Sequence, residues 1–179
     1  MVKVRPFKAY LANKEHCDKV ISPAYDTLDT VEARAMADGN PMSFLNVNKP
    51  EITLPANTDP YADVVYATGR ANLEHFIEHG YLMQDTEDRM YIYQQTMGDH
   101  TQFGLIGLAS VDDYENEKIK RHEHTLAKKE ADRTKLTDIQ SANVGPVFLT
   151  FRENQDTIKA RMAHIVQTQA CYGDVTCED

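Results

Sequence analysis

The residues best suited to chemistry in this sequence lie in one polar stretch, from Lys120 to Lys135. Cations, carboxylates and imidazoles fill the stretch, and large apolar side chains are nearly absent from it. A surface helix of a globular domain normally gives about three positions in seven to the core. This composition indicates a segment that either faces water or binds an anion, and both interpretations stay open.

Phosphate binding is the anion chemistry that fits this stretch. We expect a loop to enter a helix near Thr125, and the unpaired N–H groups of a helix N-terminus attract anions. The guanidinium of Arg121 can hold two phosphate oxygens, and Lys120 adds a point charge. Lys129 and Arg133 are four residues apart, so on a helix they share one face. These four cations are therefore candidate phosphate ligands.

Two carboxylates and one imidazole are candidates for the remaining roles in phosphoryl transfer. Glu123 can ligate Mg²⁺ or accept a proton from an attacking hydroxyl, and His122 can contact a phosphate. Asp26 can act as a second acid or hold a substrate amine, although an Asx turn explains it equally well. Phosphoryl transfer requires positioned cations, a metal and an oriented nucleophile, and this set supplies side chains for each.

The alternative interpretation is a solvated helix face. Lys128 with Asp132, and Glu130 with Lys135, can form surface pairs worth about 0.3–0.5 kcal/mol each. His122 and His124 lack the spacing of a structural zinc site, since no HExxH pattern or cysteine pair joins them. No Walker P-loop and no Rossmann glycine fingerprint occurs, so a nucleotide site here would be of another kind.

Charge and composition exclude several classes of protein. The chain has 19 Lys and Arg against 28 Asp and Glu, a formal net charge of −9, which disfavours nucleic-acid binding and anionic membranes. No apolar run approaches the roughly 20 residues of a membrane span. The three cysteines are odd in number and lack metal-type spacing, so reduced thiols and a cytoplasmic location are expected.

The elements that must position the polar stretch are strands interleaved with helices. A Gly-Asp turn between two runs rich in tyrosine, isoleucine and valine predicts a long antiparallel hairpin. The order of elements predicts a mixed α/β domain over residues 1–170, with residues 171–179 beginning a further element. Predicted strands cover residues 2–7, 42–47, 90–96, 101–111 and 146–151, and predicted helices cover residues 30–37, 61–79 and 156–169.

Eight short phrases, taken together in their order, resemble a widespread family of conserved prokaryotic proteins catalogued as a domain of unknown function (DUF1015). The resemblance covers nearly the whole chain. The phrases are Arg5-Pro6-Phe7, Ser22-Pro23-Ala24-Tyr25-Asp26, Gly39-Asn40-Pro41-Met42-Ser43-Phe44-Leu45, Asp59-Pro60-Tyr61, Tyr93-Gln94-Gln95-Thr96, Val111-Asp112-Asp113-Tyr114, Lys120-Arg121-His122-Glu123 and Asn143-Val144-Gly145-Pro146-Val147.

This resemblance implies a fold, an activity and a missing part. The family looks related to the ParB-like and sulfiredoxin-like fold, a mixed sheet with flanking helices in which a polar helix start holds nucleotide phosphates. Some members are ATP-dependent kinases of free L-serine, and members are longer, so a C-terminal half is expected to be missing. The chain departs from the family at Ala24, where proline is frequent, and at Asn46, where histidine is frequent.

The first functional hypothesis is therefore a Mg-ATP-dependent kinase of a small hydroxylated amino acid such as L-serine. ATP and Mg²⁺ are the implied cofactors, and a nucleotide and a small molecule are the implied partners. The second hypothesis is a nucleotide-binding switch or regulatory module that transfers no phosphate. The third is a structural or interaction domain. The sequence is compatible with a homo-oligomer and implies no membrane partner.

Overall fold

The computed structural model describes residues 2–121, 124–151 and 156–176, and it shows a mixed α/β fold. His122 and Glu123 lie outside these residues. The chain divides into two compact units, the first made of Met1–Leu11, Gln84–His124 and Asn154–Ala170. The second is made of Ala12–Met83, Thr125–Glu153 and Cys171–Asp179. The expectation of one domain over residues 1–170 stays a prediction.

The first unit is built on two antiparallel strand pairs and two helices. Strand β1 pairs with β6, and β4 pairs with β5 in a hairpin whose turn contains Gly98 at a φ of +57°. Glycine adopts this left-handed conformation without strain. The antiparallel pairing of β4 with β5 confirms the predicted hairpin. The elements are β1 (Val4–Arg5), β4 (Tyr91–Met97), β5 (His100–Ile106), β6 (Leu108–Ala109), α5 (Val111–Glu115) and α7 (Asp156–Thr168).

The second unit is helical and contains the buried apolar core. Strands β2 (Tyr10–Ala12) and β3 (Leu82–Gln84) are each divided by the boundary between the units. The helices are α1 (Cys17–Val20), α2 (Thr30–Ala37), α3 (Leu45–Asn48), α4 (Asp63–Glu78) and α6 (Ala127–Gln140), with short 3-10 turns at Lys14–His16 and Pro50–Thr53. The largest buried cluster consists of Val20, Val47, Leu73, Phe76 and Leu82.

Local sequence signals explain the helices that sequence analysis located correctly. Asp29 accepts hydrogen bonds from the first turn of α2, and the Asp29 N–H donates to the Glu32 carboxylate, which forms a capping box. Gly39 follows α2 and Gly80 follows α4, and both have positive φ, as expected for residues that stop a helix. No helix among the described residues is long and apolar enough to cross a membrane.

Two predicted strands are wrong. Residues 42–47 contain the start of α3 instead, because Asn40 accepts the Met42 N–H and turns the chain towards Leu45. A short apolar run cannot distinguish a buried strand from a buried helical turn. Residues 146–151 form no strand, and Val147 and Phe148 are 82% and 75% exposed. Strand-forming residues alone do not make a strand where no neighbour pairs with them.

Helix α6 approaches α4 closely at Gly69. A Cβ atom on Gly69 would lie 2.7 Å from Cγ of Pro50, 3.0 Å from Nε2 of Gln140 and 3.2 Å from Cδ1 of Leu136. Leu136 and Gln140 are the two buried residues of α6. The absence of a side chain at Gly69 therefore sets the distance at which the polar helix packs.

We predict that Gly69→Ala destabilises the protein. In an open helix this change stabilises by about 0.5–1 kcal/mol, whereas overpacking costs about 1–3 kcal/mol. A lower free energy of unfolding in urea is the expected result. Gly145→Ala is the control, since a Cβ there meets no atom within 4 Å, and it should change stability by less than about 0.5 kcal/mol. A Gly69→Ala protein more stable than the wild type would contradict the close packing.

Candidate functional site

The N-terminus of α6 lacks a side-chain cap. Its N-cap residue is Leu126, whose side chain cannot accept a hydrogen bond from the first turn, and Thr125 donates to the carboxylate of Glu130 at 2.7 Å. The first turn carries Lys128 and Lys129 beside one carboxylate, Glu130, although the N-terminal end of the helix dipole disfavours cations. Unpaired N–H groups and two ammonium groups make this end of α6 suitable for an anion.

Three cations of α6 lie over tyrosine rings of the second unit. Lys128 Nζ is 4.1 Å from the ring centroid of Tyr61, and Lys135 Nζ is 4.3 Å from that of Tyr66. Lys135 also forms an ion pair with Asp63 at 2.6 Å. These cations face aromatic rings, and cation–π contacts are worth about 0.5–1 kcal/mol at exposed sites.

Arg133 is the third of these cations, and its guanidinium has the most partners. It lies 4.6 Å from the ring centroid of Tyr25, and Nε and Nη2 donate to Asp132 at 2.8 and 2.6 Å. Nη1 donates to the carbonyl of Asn48 at 3.2 Å. A guanidinium has five N–H donors, so two remain for a ligand. Arg133 is thus held in place by the fold.

A tyrosine–aspartate pair that sequence reasoning missed fixes the orientation of Asp132. Tyr66 is 3% exposed, and its phenol donates to Asp132 Oδ1 at 2.7 Å. Burial, and then the hydrogen bond and charge of Asp132, raise the pKa of the Tyr66 phenol well above its ordinary value. The two residues are 66 positions apart, so no local sequence pattern indicates their contact.

The surface pairs predicted within α6 are not formed. Asp132 binds Tyr66 and Arg133 instead of Lys128, and Lys135 binds Asp63 instead of Glu130. A spacing of four residues brings Lys128 and Asp132 near each other, whereas Glu130 and Lys135 are five apart, and partners from other elements bind both Asp132 and Lys135. In this helix tertiary contacts determine the pairing.

The structure places the predicted site residues in different parts of the chain. In the second unit, Asp26 is exposed and directly follows Tyr25, the ring on which Arg133 lies. Lys129 is exposed and has no hydrogen bond or ion pair to the described residues. In the first unit, Lys120 is exposed, and Arg121 lies 4.9 Å from the ring centroid of Tyr114. The predicted catalytic Glu123 and the predicted phosphate ligand His122 lie outside the described residues.

Asp113, within the family-like phrase Val111-Asp112-Asp113-Tyr114, has a structural role. It lies in the first turn of α5, and it is 2% exposed. Its carboxylate accepts from Lys118 Nζ and from the Lys3 N–H, both at 2.7 Å. The Lys118 ammonium, and then the Lys3 N–H, hold the pKa of the Asp113 carboxyl below its ordinary value against the effect of burial.

The described residues contain no site in which three side chains could ligate a metal ion. No group of three or more His, Cys, Asp or Glu side chains there could hold a metal ion. Binding of Mg²⁺ through Glu123 therefore stays a prediction. A phosphate-bound Mg²⁺ usually keeps several waters and needs only one or two carboxylates.

Comparison with known proteins decides the family of this chain. Residues 4–179 match the family described as protein of unknown function (DUF1015). The chain belongs to this family. No curated protein and no solved structure matches the chain. The family resemblance of the sequence is confirmed, while the ParB-like fold and the kinase activity stay predictions.

The Asp113 contacts predict a pH effect on this DUF1015 protein. A carboxyl whose pKa is lower in the folded state stabilises the fold above its unfolded pKa of about 3.9, and that stability disappears as pH falls through the folded value. Asp113→Asn should therefore be less stable than the wild type at neutral pH, with a smaller loss of stability below about pH 4. Urea unfolding across acidic pH values measures both effects.

The control for this prediction is Asp112→Asn, which removes the neighbouring exposed carboxylate. It should retain the acid-dependent loss of stability of the wild type. If Asp113→Asn shows the same acid dependence as the wild type, the ion pair with Lys118 does not stabilise the fold.

Proposed function

We propose that this chain binds Mg-ATP and transfers its terminal phosphoryl group to the hydroxyl of a small amino acid such as free L-serine. The proposed activity is inferred from the family resemblance of the sequence, and the proposed site is inferred from the polar stretch between Lys120 and Lys135. A location in the cytoplasm and a ParB-like arrangement of the phosphate-binding helix are part of the same proposal.

The uncapped N-terminus of α6 is the observation that best supports this proposal. Leu126 leaves the first-turn N–H groups without a side-chain acceptor, and Lys128 and Lys129 add positive charge to the same turn. A bound phosphate would accept from the N–H groups and neutralise the lysines. An ordinary solvated helix is expected to carry Asp, Asn, Ser or Thr at the N-cap position, whereas α6 has Leu126 there, and the one carboxylate of its first turn, Glu130, accepts from Thr125.

The proposed roles follow from the chemistry of each side chain. Lys120, Arg121, His122, Lys129 and the two remaining donors of Arg133 would contact phosphate oxygens. Glu123 would accept the hydroxyl proton of the acceptor or ligate Mg²⁺, and Asp26 would bind the substrate ammonium. Mg-ATP supplies the phosphoryl group, and the protein contributes position and charge.

Two other functions remain alternatives, and each has a supporting observation. A nucleotide-binding switch would use the same helix terminus without transferring phosphate. A structural or interaction domain would use α6 for packing, and it is favoured by the tyrosine partners of Lys128, Arg133 and Lys135. In a structural or interaction domain, Lys129 and the uncapped N-terminus of α6 would have no role.

Phosphorus NMR with Mg-ATP and a panel of free amino acids tests the proposal. The expected result is phosphoserine and ADP in equal amounts with the wild type. Glu123→Gln should slow the transfer by about 10²–10⁴-fold, because it removes the proton acceptor. Glu115→Gln, an exposed carboxylate of α5, is the matched control and should keep the wild-type rate.

The other outcomes separate the alternatives. Shifted phosphate resonances without product would contradict the kinase and favour the switch. If neither product nor shifted phosphate resonances are observed, the kinase and the switch are both contradicted, and the interaction domain is favoured. Equal rates in the wild type and Glu123→Gln would remove Glu123 from the catalytic role.

A further inference from the structure

Two histidines stand one helical turn apart at the C-terminal end of α4. His75 lies in the last turn, and His79 is the C-cap residue. Both side chains are exposed, and their ring centroids are 3.8 Å apart with an interplanar angle of 37°. Residues at i and i+4 share one face of a helix, so both imidazoles point to the same side.

A hydrogen bond sets the tautomer of His79. Its Nδ1 lies 2.9 Å from the carbonyl oxygen of His75. Because a carbonyl can only accept, Nδ1 must carry the proton that is donated. In the neutral ring the lone pair is then on Nε2, which stays available. Metal-binding histidines typically have this arrangement, with one nitrogen donating to a backbone carbonyl and the other ligating the metal.

The electrostatic surroundings favour a cation at this position. The pair lies at the C-terminal end of α4, and the C-terminal end of a helix carries partial negative charge. Glu74 and Glu78 are exposed in the same turn of α4, and Glu74 is paired with Arg70 at 2.8 Å. The Glu78 carboxylate adds negative charge beside His79.

We propose that His75 and His79 chelate one divalent transition-metal ion of the Zn²⁺, Ni²⁺ and Cu²⁺ class. Metal–nitrogen bonds of about 2.0–2.1 Å place the ring centroids of two ligating imidazoles roughly 4.5–5 Å apart. This is wider than the observed 3.8 Å, so the two exposed rings must rotate slightly apart to share one ion. Imidazole is a preferred ligand of all three ions. This site is independent of the proposed kinase function.

The coordination sphere of this site is open. Because no third His, Cys, Asp or Glu joins the pair among the described residues, water or an external ligand fills the other positions. The ring centroid of Tyr81 is 5.9 Å from each imidazole, and Tyr81 therefore forms one wall of the site. An open site of this kind binds metal more weakly than a closed structural site and leaves room for a small ligand.

Titration of the ¹⁵N-labelled protein with Zn²⁺, followed through the imidazole nitrogens by NMR, tests this inference. Before metal is added, His79 should show the tautomer with the proton on Nδ1. We expect one equivalent of Zn²⁺ to shift His75 and His79 together. Either His75→Gln or His79→Gln should weaken binding by about tenfold or more, since even partners outside the ligand set are worth about 10–100-fold.

His164→Gln is the matched control, because His164 is a single exposed histidine on α7. It should bind Zn²⁺ like the wild type, and circular dichroism should show that all three variants keep their helices. Equal affinity in the wild type, His75→Gln and His79→Gln would overturn the proposal. Shifts confined to other histidines would overturn it as well.

Discussion

The structure of the second unit depends on side chains that donate hydrogen bonds to the carbonyl groups at the end of one very short helix, α3. Helix α3 has four residues, so its last carbonyl groups have no partners within the helix. The carbonyls of Asn46–Asn48 instead accept, in order, from Asn72 at 2.7 Å, Gln140 at 3.1 Å and Arg133 at 3.2 Å. Buried carbonyls without partners are costly, so these three bonds join α3 to both α4 and α6.

This constraint separates α6 into two parts with different roles. From Arg133 to Gln140 the helix packs on α4 and binds the end of α3, with Leu136 at 2% exposure. The first turn has no such contacts to α3, and its backbone N–H groups lack a side-chain cap. Helix α6 therefore consists of a packing segment at residues 133–140 and an N-terminal turn without a side-chain cap. Because residues 133–140 are held against α3 and α4, the direction of the first turn of α6 is fixed as well.

The sequence predicts elements well where the determining signal is local. The capping box at Asp29, the glycine at Gly98 and the long apolar period of α4 each lie within the element that they determine. The strand predicted over residues 42–47 is wrong because the conformation of this segment depends on Asn40 and on hydrogen-bond donors that are distant in the sequence. The partners of Asp132 and Arg133 were not predictable, since Tyr66 and Asn48 are far away in sequence.

The most direct test of this account compares Arg133→Ala with Lys129→Ala, by urea unfolding with and without Mg-ATP. Arg133→Ala should lose about 1–3 kcal/mol without nucleotide, because it leaves the Asn48 carbonyl without its donor and removes the cation paired with Asp132. Lys129→Ala should stay within about 0.5 kcal/mol of the wild type, yet lose the stabilisation that Mg-ATP gives by binding the folded state. If Lys129→Ala is as destabilising as Arg133→Ala, or is stabilised by Mg-ATP as much as the wild type, the division of α6 into these two parts is contradicted.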